Sequence, residues 1–201
     1  MSADETLNQR YFDDVYAAHD DPWHFESSAY EQAKYAGTLA ALPKLRFARA
    51  FEIGCSIGVL SALLAPRCDS LICVDVSEVA LQSARRRLVN QPHVVLQKMA
   101  VPHEFPHGIF DLVVLSEVGY YWSTNDLGLA SQRIVASMCP GAALVLVHWT
   151  PLVADYPLTG DQVHDHFLSL AGDDRALRHV SARREATYRL DVFERAENGS
   201  P

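Results

Sequence analysis

The sequence predicts an α/β fold: a doubly wound seven-stranded sheet, mostly parallel, with a C-terminal antiparallel hairpin and an N-terminal helical cap. Three observations carry this expectation. Short runs of consecutive apolar residues recur through the middle of the chain, as strands covered on both faces require. Segments of helical spacing lie between them, so strand and helix alternate and the strands run parallel. The last two strand-like runs are joined by a link too short for a parallel crossover, so they pair antiparallel.

Residues 1–43 hold no strand-like run but two helix-like stretches, 6–16 and 30–42, joined by an ordered Pro-Trp loop at 20–28. They form the expected cap over a domain spanning 44–195. Strands are expected at 50–53, 70–74, 94–97 and 110–115, with a fifth at 142–148 after the Pro140-Gly141 turn. Helices follow the first, second and fourth strands at 59–67, 77–90 and 125–138. The second of these starts on Ser77-Glu78, a capping hydroxyl followed by an acid in the first turn. A helix at 159–171 precedes the hairpin strands, 177–182 and 187–194. In the last, Tyr188, Leu190 and Val192 alternate with Arg189, Asp191 and Phe193. Residues 196–201 read as a frayed tail.

The composition excludes several classes of function. The chain has 201 residues, 49% apolar and 21% charged, enough for a sizeable core without staples. With 17 basic and 25 acidic residues its net charge is −8, the wrong sign for a nucleic-acid partner. No apolar run approaches the length of about 18 residues that a membrane span needs, and Met1–Arg10 lacks the apolar core of a signal peptide. Four cysteines without Cys-x-x-Cys pairing point to free thiols and a cytoplasmic location. The spacing of His103-Glu104-Phe105-Pro106-His107 spells a zinc-protease signature, but Pro106 and Gly108 break the helix that signature needs, so no metal is expected. His164-Asp165-His166 reads as a solvated helix face.

Chemistry concentrates where the first strand ends. The run Glu52-Ile53-Gly54-Cys55-Ser56-Ile57-Gly58 turns into a helix, and small residues there let a ligand approach the backbone near the positive end of the helix dipole. Asp75 ends the second strand, 21 residues after Gly54, where an acid can take the two hydroxyls of an adenosine ribose. A dinucleotide site wants Gly-x-Gly-x-x-Gly; here two glycines are spaced otherwise and an acid precedes the first. That acid would repel a pyrophosphate and favours a ligand carrying positive charge. S-adenosylmethionine, with an ammonium, a sulfonium and no phosphate, fits.

The segment 52–58 resembles the Asp/Glu-x-Gly-x-Gly-x-Gly motif of class I S-adenosylmethionine-dependent methyltransferases, with Ser56 at the middle glycine. A narrower set of words resembles the nodulation protein S group of small-molecule N-methyltransferases: Asp20-Asp21-Pro22-Trp23 before Tyr30-Glu31, Leu63, Ala65-Pro66 with Cys68, Val74-Asp75-Val76, and Glu117-Val118 with Tyr120-Tyr121. The resemblance implies methyl transfer to a small-molecule amine, in that group an amino sugar. An O-methyltransferase or a non-catalytic protein retaining the fold remains open beside it, and a nicotinamide-dependent oxidoreductase stands third. It places Glu52, Gly54 and Cys55 by the methionine part of the cofactor, with Gly58 at the close-packed helix start. Asp75 falls on the ribose, and Val76, Ala100 and Val101 around the adenine. Ser116 falls beside the methyl group, Lys34 opposite the cofactor carboxylate, and Trp23 with Tyr11 and Tyr35 over it. Glu117 is the first candidate for orienting the amine, with Tyr121 and His148 behind it. At neutral pH an amine is mostly ammonium, so a base or a carboxylate-lined pocket is useful.

Overall fold

The computed structural model describes residues 5–197. Two helices open the chain, α1 (Gln9–Ala18) and α2 (Ala29–Ala41), capped by the side chains of Asn8 and Ser28. The loop between them is held by Asp21, whose carboxylate accepts the peptide N–H groups of Phe25 and Glu26. Strand β1 (Phe47–Ile53) leads through the glycine turn to α3 (Val59–Leu64), which tightens into a 3₁₀ turn at Ala65–Arg67. Then follow β2 (Cys68–Asp75), α4 (Glu78–Arg87), β3 (Val94–Lys98) and β4 (Phe110–Ser116). After β4 comes a 3₁₀ turn, Gly119–Tyr121, then α5 (Thr124–Ser137) and β5 (Met138–Trp149). The chain closes with α6 (Gly160–Ser169), β6 (Leu177–Arg184) and β7 (Tyr188–Arg195). The expected hydroxyl cap at Ser77 is present, and Thr159 with Gln162 forms a capping box on α6.

The seven strands lie in the order β3-β2-β1-β4-β5-β7-β6. The first five are parallel, and β7 runs antiparallel to both of its neighbours. Continuous apolar runs follow from burial on both faces. In β4, Val113 and Leu115 join one core with Phe51, Ile53, Leu144 and Ile134, while Leu112 and Val114 join the other with Leu71, Val145 and Leu60. The fifth strand starts earlier than its apolar run suggests. Phe110 pairs with Met138 and Leu112 with Ala143, so Pro140-Gly141 lies within the strand as a bulge, with Gly141 at φ +74°. The strand order reverses direction between β1 and β4, and α1 and α2 roof the crevice at the carboxyl ends of these strands. Four residues of the expected tail, 198–201, lie outside the described residues.

Candidate active site

The crevice is a cavity of about 650 Å³, a size suited to a small-molecule ligand. On its β1–β2 side the glycine turn is built from backbone. The N–H groups of Gly54 and Cys55 both donate to the carbonyl of Val74, which folds the turn back toward β2. Gly54 sits at φ +77°, and a Cβ there would stand 2.0 Å from Val118 Cγ2. Only glycine leaves that approach open. Ser56 adopts φ +52° where the family motif places glycine, and its hydroxyl meets the Tyr16 hydroxyl of α1 at 2.5 Å.

Asp75 ends β2 beneath this turn. Its carboxylate accepts the peptide N–H of Ser56 at 2.8 Å and of Ser77 at 2.9 Å, so both oxygens are aimed and each keeps lone pairs. Burial pushes its pKa up to about 6, with those N–H groups opposing the rise. Glu52 lies deeper, accepting from the Ser61 hydroxyl at 2.5 Å, and burial raises it to about 7.

Between β4 and β5 the cavity holds a buried ion cluster. Lys34 of α2 donates to Glu31 Oε1 at 2.9 Å and to Glu117 Oε1 at 2.6 Å. Burial pulls the lysine pKa down, but the two carboxylates outweigh it and hold the ammonium above its ordinary range. Glu117 Oε2 accepts from the Tyr120 hydroxyl at 2.6 Å and from the peptide N–H of Trp149 at 2.9 Å. Its backbone has φ +59°, an uncommon conformation that turns the side chain into this network just past β4. Tyr120, Tyr121 and Tyr156 form the adjoining aromatic wall, with Tyr120 and Tyr156 stacked at 5.1 Å. Burial raises the Tyr121 phenol well above its usual pKa, so it stays a protonated donor, here toward Tyr156.

The cavity brings together most residues expected from sequence: Trp23, Lys34, Tyr35, Glu52, Gly54, Cys55, Asp75, Val76, Ala100, Val101, Ser116, Glu117 and Tyr121 all line it. Three fall outside the lining. Tyr11 packs edge-on against Phe12. Gly58, at φ +79°, instead lets the start of α3 meet α4, where an added Cβ would lie 3.0 Å from Ala84 Cβ.

His148 is wholly buried behind the wall. Its Nε2 accepts the peptide N–H of Gly119 at 3.1 Å. A peptide nitrogen only donates, so the imidazole proton sits on Nδ1 and points to His164 Nε2 at 3.1 Å. The His164 proton is then on Nδ1, facing Asp191 Oδ2 at 2.6 Å. Burial lowers both histidine pKa values, that of His148 strongly. The solvated face expected for 164–166 is thus corrected at His164, which is fully buried because α6 turns it onto the acid of β7.

Sequence reasoning missed Tyr16, Glu31 and Trp149 as lining residues. The i,i+3 spacing of Glu31 and Lys34 on one helix face was readable as a pair, but the third member arrives 83 residues later in sequence.

Sheet order, crossover and hairpin together define the class I methyltransferase fold. A crystal structure of N-methyltransferase NodS from Bradyrhizobium japonicum, in complex with S-adenosyl-L-homocysteine, superposes with a TM-score of 0.79 at 22% identity, covering 94% of this chain and 99% of that one. Within that class the chain belongs to the nodulation protein S (NodS) family, whose model matches residues 8–148. It is 32% identical over 130 residues to Nodulation protein S of Rhizobium tropici, covering 64% of this chain and 55% of that protein. Against the Bradyrhizobium diazoefficiens protein it is 32% identical over 128 residues, covering 63% and 61%. The chain thus spans little more than half the length of these curated relatives. Among the described residues, no helix is long and apolar enough to cross a membrane.

Proposed function

We propose that the chain transfers the methyl group of S-adenosylmethionine to an amine of a small-molecule acceptor. The charge of the cavity lining carries this reading: among the described residues it holds Glu31, Glu52, Asp75, Glu117 and Asp126 against one lysine or arginine, Lys34. Such a lining repels a pyrophosphate and suits a cationic guest, which argues against a nicotinamide dinucleotide. The open cradle at Gly54 and the aimed lone pairs of Asp75 fit the same cofactor. The N-methyltransferase named among the solved relatives supports an amine as acceptor.

When bound, the cofactor supplies an electrophilic methyl group on a positively charged sulfur. The residues around it align, desolvate and position the reactants. Asp75 receives the ribose hydroxyls, and Val76, Ala100 and Val101 flank the adenine. The peptide N–H of Ala100 is already taken by Glu104 at 2.7 Å, so adenine recognition falls to other groups on that rim. Lys34 spends two of its three donors on carboxylates and keeps one for the cofactor carboxylate. Glu52 and Cys55 line the methionine end, Ser116 borders the methyl group, and Trp23 with Tyr16 covers the cradle.

Calorimetric titration with S-adenosylhomocysteine tests the cofactor assignment. Micromolar binding is expected for the native protein, with a loss of about 100-fold or more in Asp75→Ala, the scale of two lost charge-assisted hydrogen bonds. Binding of NADH in place of S-adenosylhomocysteine overturns the reading.

A further inference from the structure

We propose that Glu31, through its Oε2 atom, receives the ammonium of the acceptor and takes one of its protons before methyl transfer; this rests on the methyltransferase reading above. Glu117 stands nearest the reacting strand end, yet three donors (Lys34, Tyr120 and the Trp149 peptide) already occupy its two oxygens. With those three donors in place, Glu117 keeps a single acceptor site, on Oε1 beside the Lys34 ammonium. Glu31 differs. Its Oε1 meets Lys34, while its Oε2 is the single buried side-chain nitrogen or oxygen among the described residues without a hydrogen-bond partner. Its side chain is 10% exposed and lines the cavity. Buried polar atoms are almost always satisfied, so an orphan on a side chain that lines a ligand cavity marks a place for a guest's donor.

The charge around it points the same way. Glu31, Lys34 and Glu117 sum to one excess negative charge when ionised, in a largely buried cluster, and an ammonium neutralises it. The groups that face Glu31 are Lys34, Tyr30 and Tyr35 from α2 and Glu117 from the end of β4. Tyr35 stands close enough to lower the Glu31 pKa without reaching hydrogen-bond geometry. Burial nevertheless keeps Glu31 above the ordinary carboxylate range, with Lys34 opposing it, which brings its basicity closer to that of an amine.

The step balances. The acceptor R–NH₃⁺ gives one proton to the Glu31 carboxylate and becomes R–NH₂. Its lone pair forms the N–C bond as the C–S bond breaks, and that bonding pair goes to sulfur. The product leaves as R–NH₂⁺–CH₃, and Glu31 releases its proton to solvent. Charge is conserved, since the sulfonium charge reappears as that proton.

The test labels glutamate side-chain carboxyl carbons with ¹³C in the full chain saturated with S-adenosylhomocysteine. The Glu31 signal is assigned by its absence in Glu31→Gln, or by its absence in Glu31→Asp if the first variant does not fold. Glucosamine and a chitosan tetramer are titrated in, with N-acetylglucosamine as the amide control. A shift of the Glu31 signal with either amine and none with the amide supports the proposal. With the amine that is methylated, Glu31→Gln should lower kcat by about 100-fold and abolish the acidic limb of the pH–rate profile, with partial recovery in Glu31→Asp. A native protein that binds S-adenosylhomocysteine while its Glu31 signal ignores both amines overturns the proposal, as does Glu31→Gln with kcat within threefold of native. Failure of the native protein to bind S-adenosylhomocysteine overturns instead the methyltransferase reading beneath it.

Discussion

Glu52 shows how a single buried acid couples the site to stability. It is 2% exposed, and burial raises its pKa from 4.5 to about 7. Between those values the folded state binds more protons than the unfolded one, so stability falls as pH rises through the window. The penalty is absent below pH 4.5 and complete above 7; a shift of this size corresponds to about 3 kcal/mol. Glu52→Gln imitates the protonated acid, so it should flatten the fall in melting temperature between pH 5 and 8. Parallel melting curves for variant and native protein across that range would refute the assignment. Glu52 was legible as part of a motif; its burial against Ser61 was not, because that contact depends on how α3 folds back over β1.

At the scale of elements, α1 is fastened to the cradle by few polar contacts. Tyr16 meets Ser56, and Asp13 accepts from the Ser77 hydroxyl at 2.6 Å, while Phe12 packs edge-on to Tyr121. Tyr16→Phe removes one contact and leaves the ring in place. Amide exchange across residues 9–18 is expected to rise severalfold with the global melting temperature within a few degrees, because local opening is cheaper than unfolding. Exchange unchanged in α1 would mean that apolar packing alone seats it. The helices themselves were readable from periodicity and, for α4, from the cap at Ser77. What they cover was not, since amphipathic spacing says that a face is buried and not against what.

The whole molecule is tied across its antiparallel edge by Asp191. This residue of β7 is fully buried and meets His164 of α6, His179 of β6 and Arg189 of its own strand. Through His164 and His148 it reaches the peptide of Gly119, in the turn that carries Tyr120. Removing one member of a buried charged network costs about 3–5 kcal/mol, which in a domain of this size lowers the melting temperature by roughly 6–20 °C. Asp191→Ala should therefore melt at least 6 °C lower, with S-adenosylhomocysteine still bound. A change under 2 °C in differential scanning calorimetry would show the network to be dispensable.

Local patterns in the amino-acid sequence determined the alternation of strands and helices, the hairpin, the glycine turn and the acid at position 75, because each is written within a few dozen residues of chain. The tertiary structure alone decided which carboxylate is free. Glu31, Lys34 and Glu117 converge only when α2 settles across the ends of β4 and β5, and the Tyr120 hydroxyl and Trp149 peptide then fill Glu117 Oε2. Hydrogen-bond capacity is a property of neighbours in space: Glu117, conspicuous in sequence beyond the fourth strand, carries a donor on each oxygen, while Glu31 keeps one oxygen open.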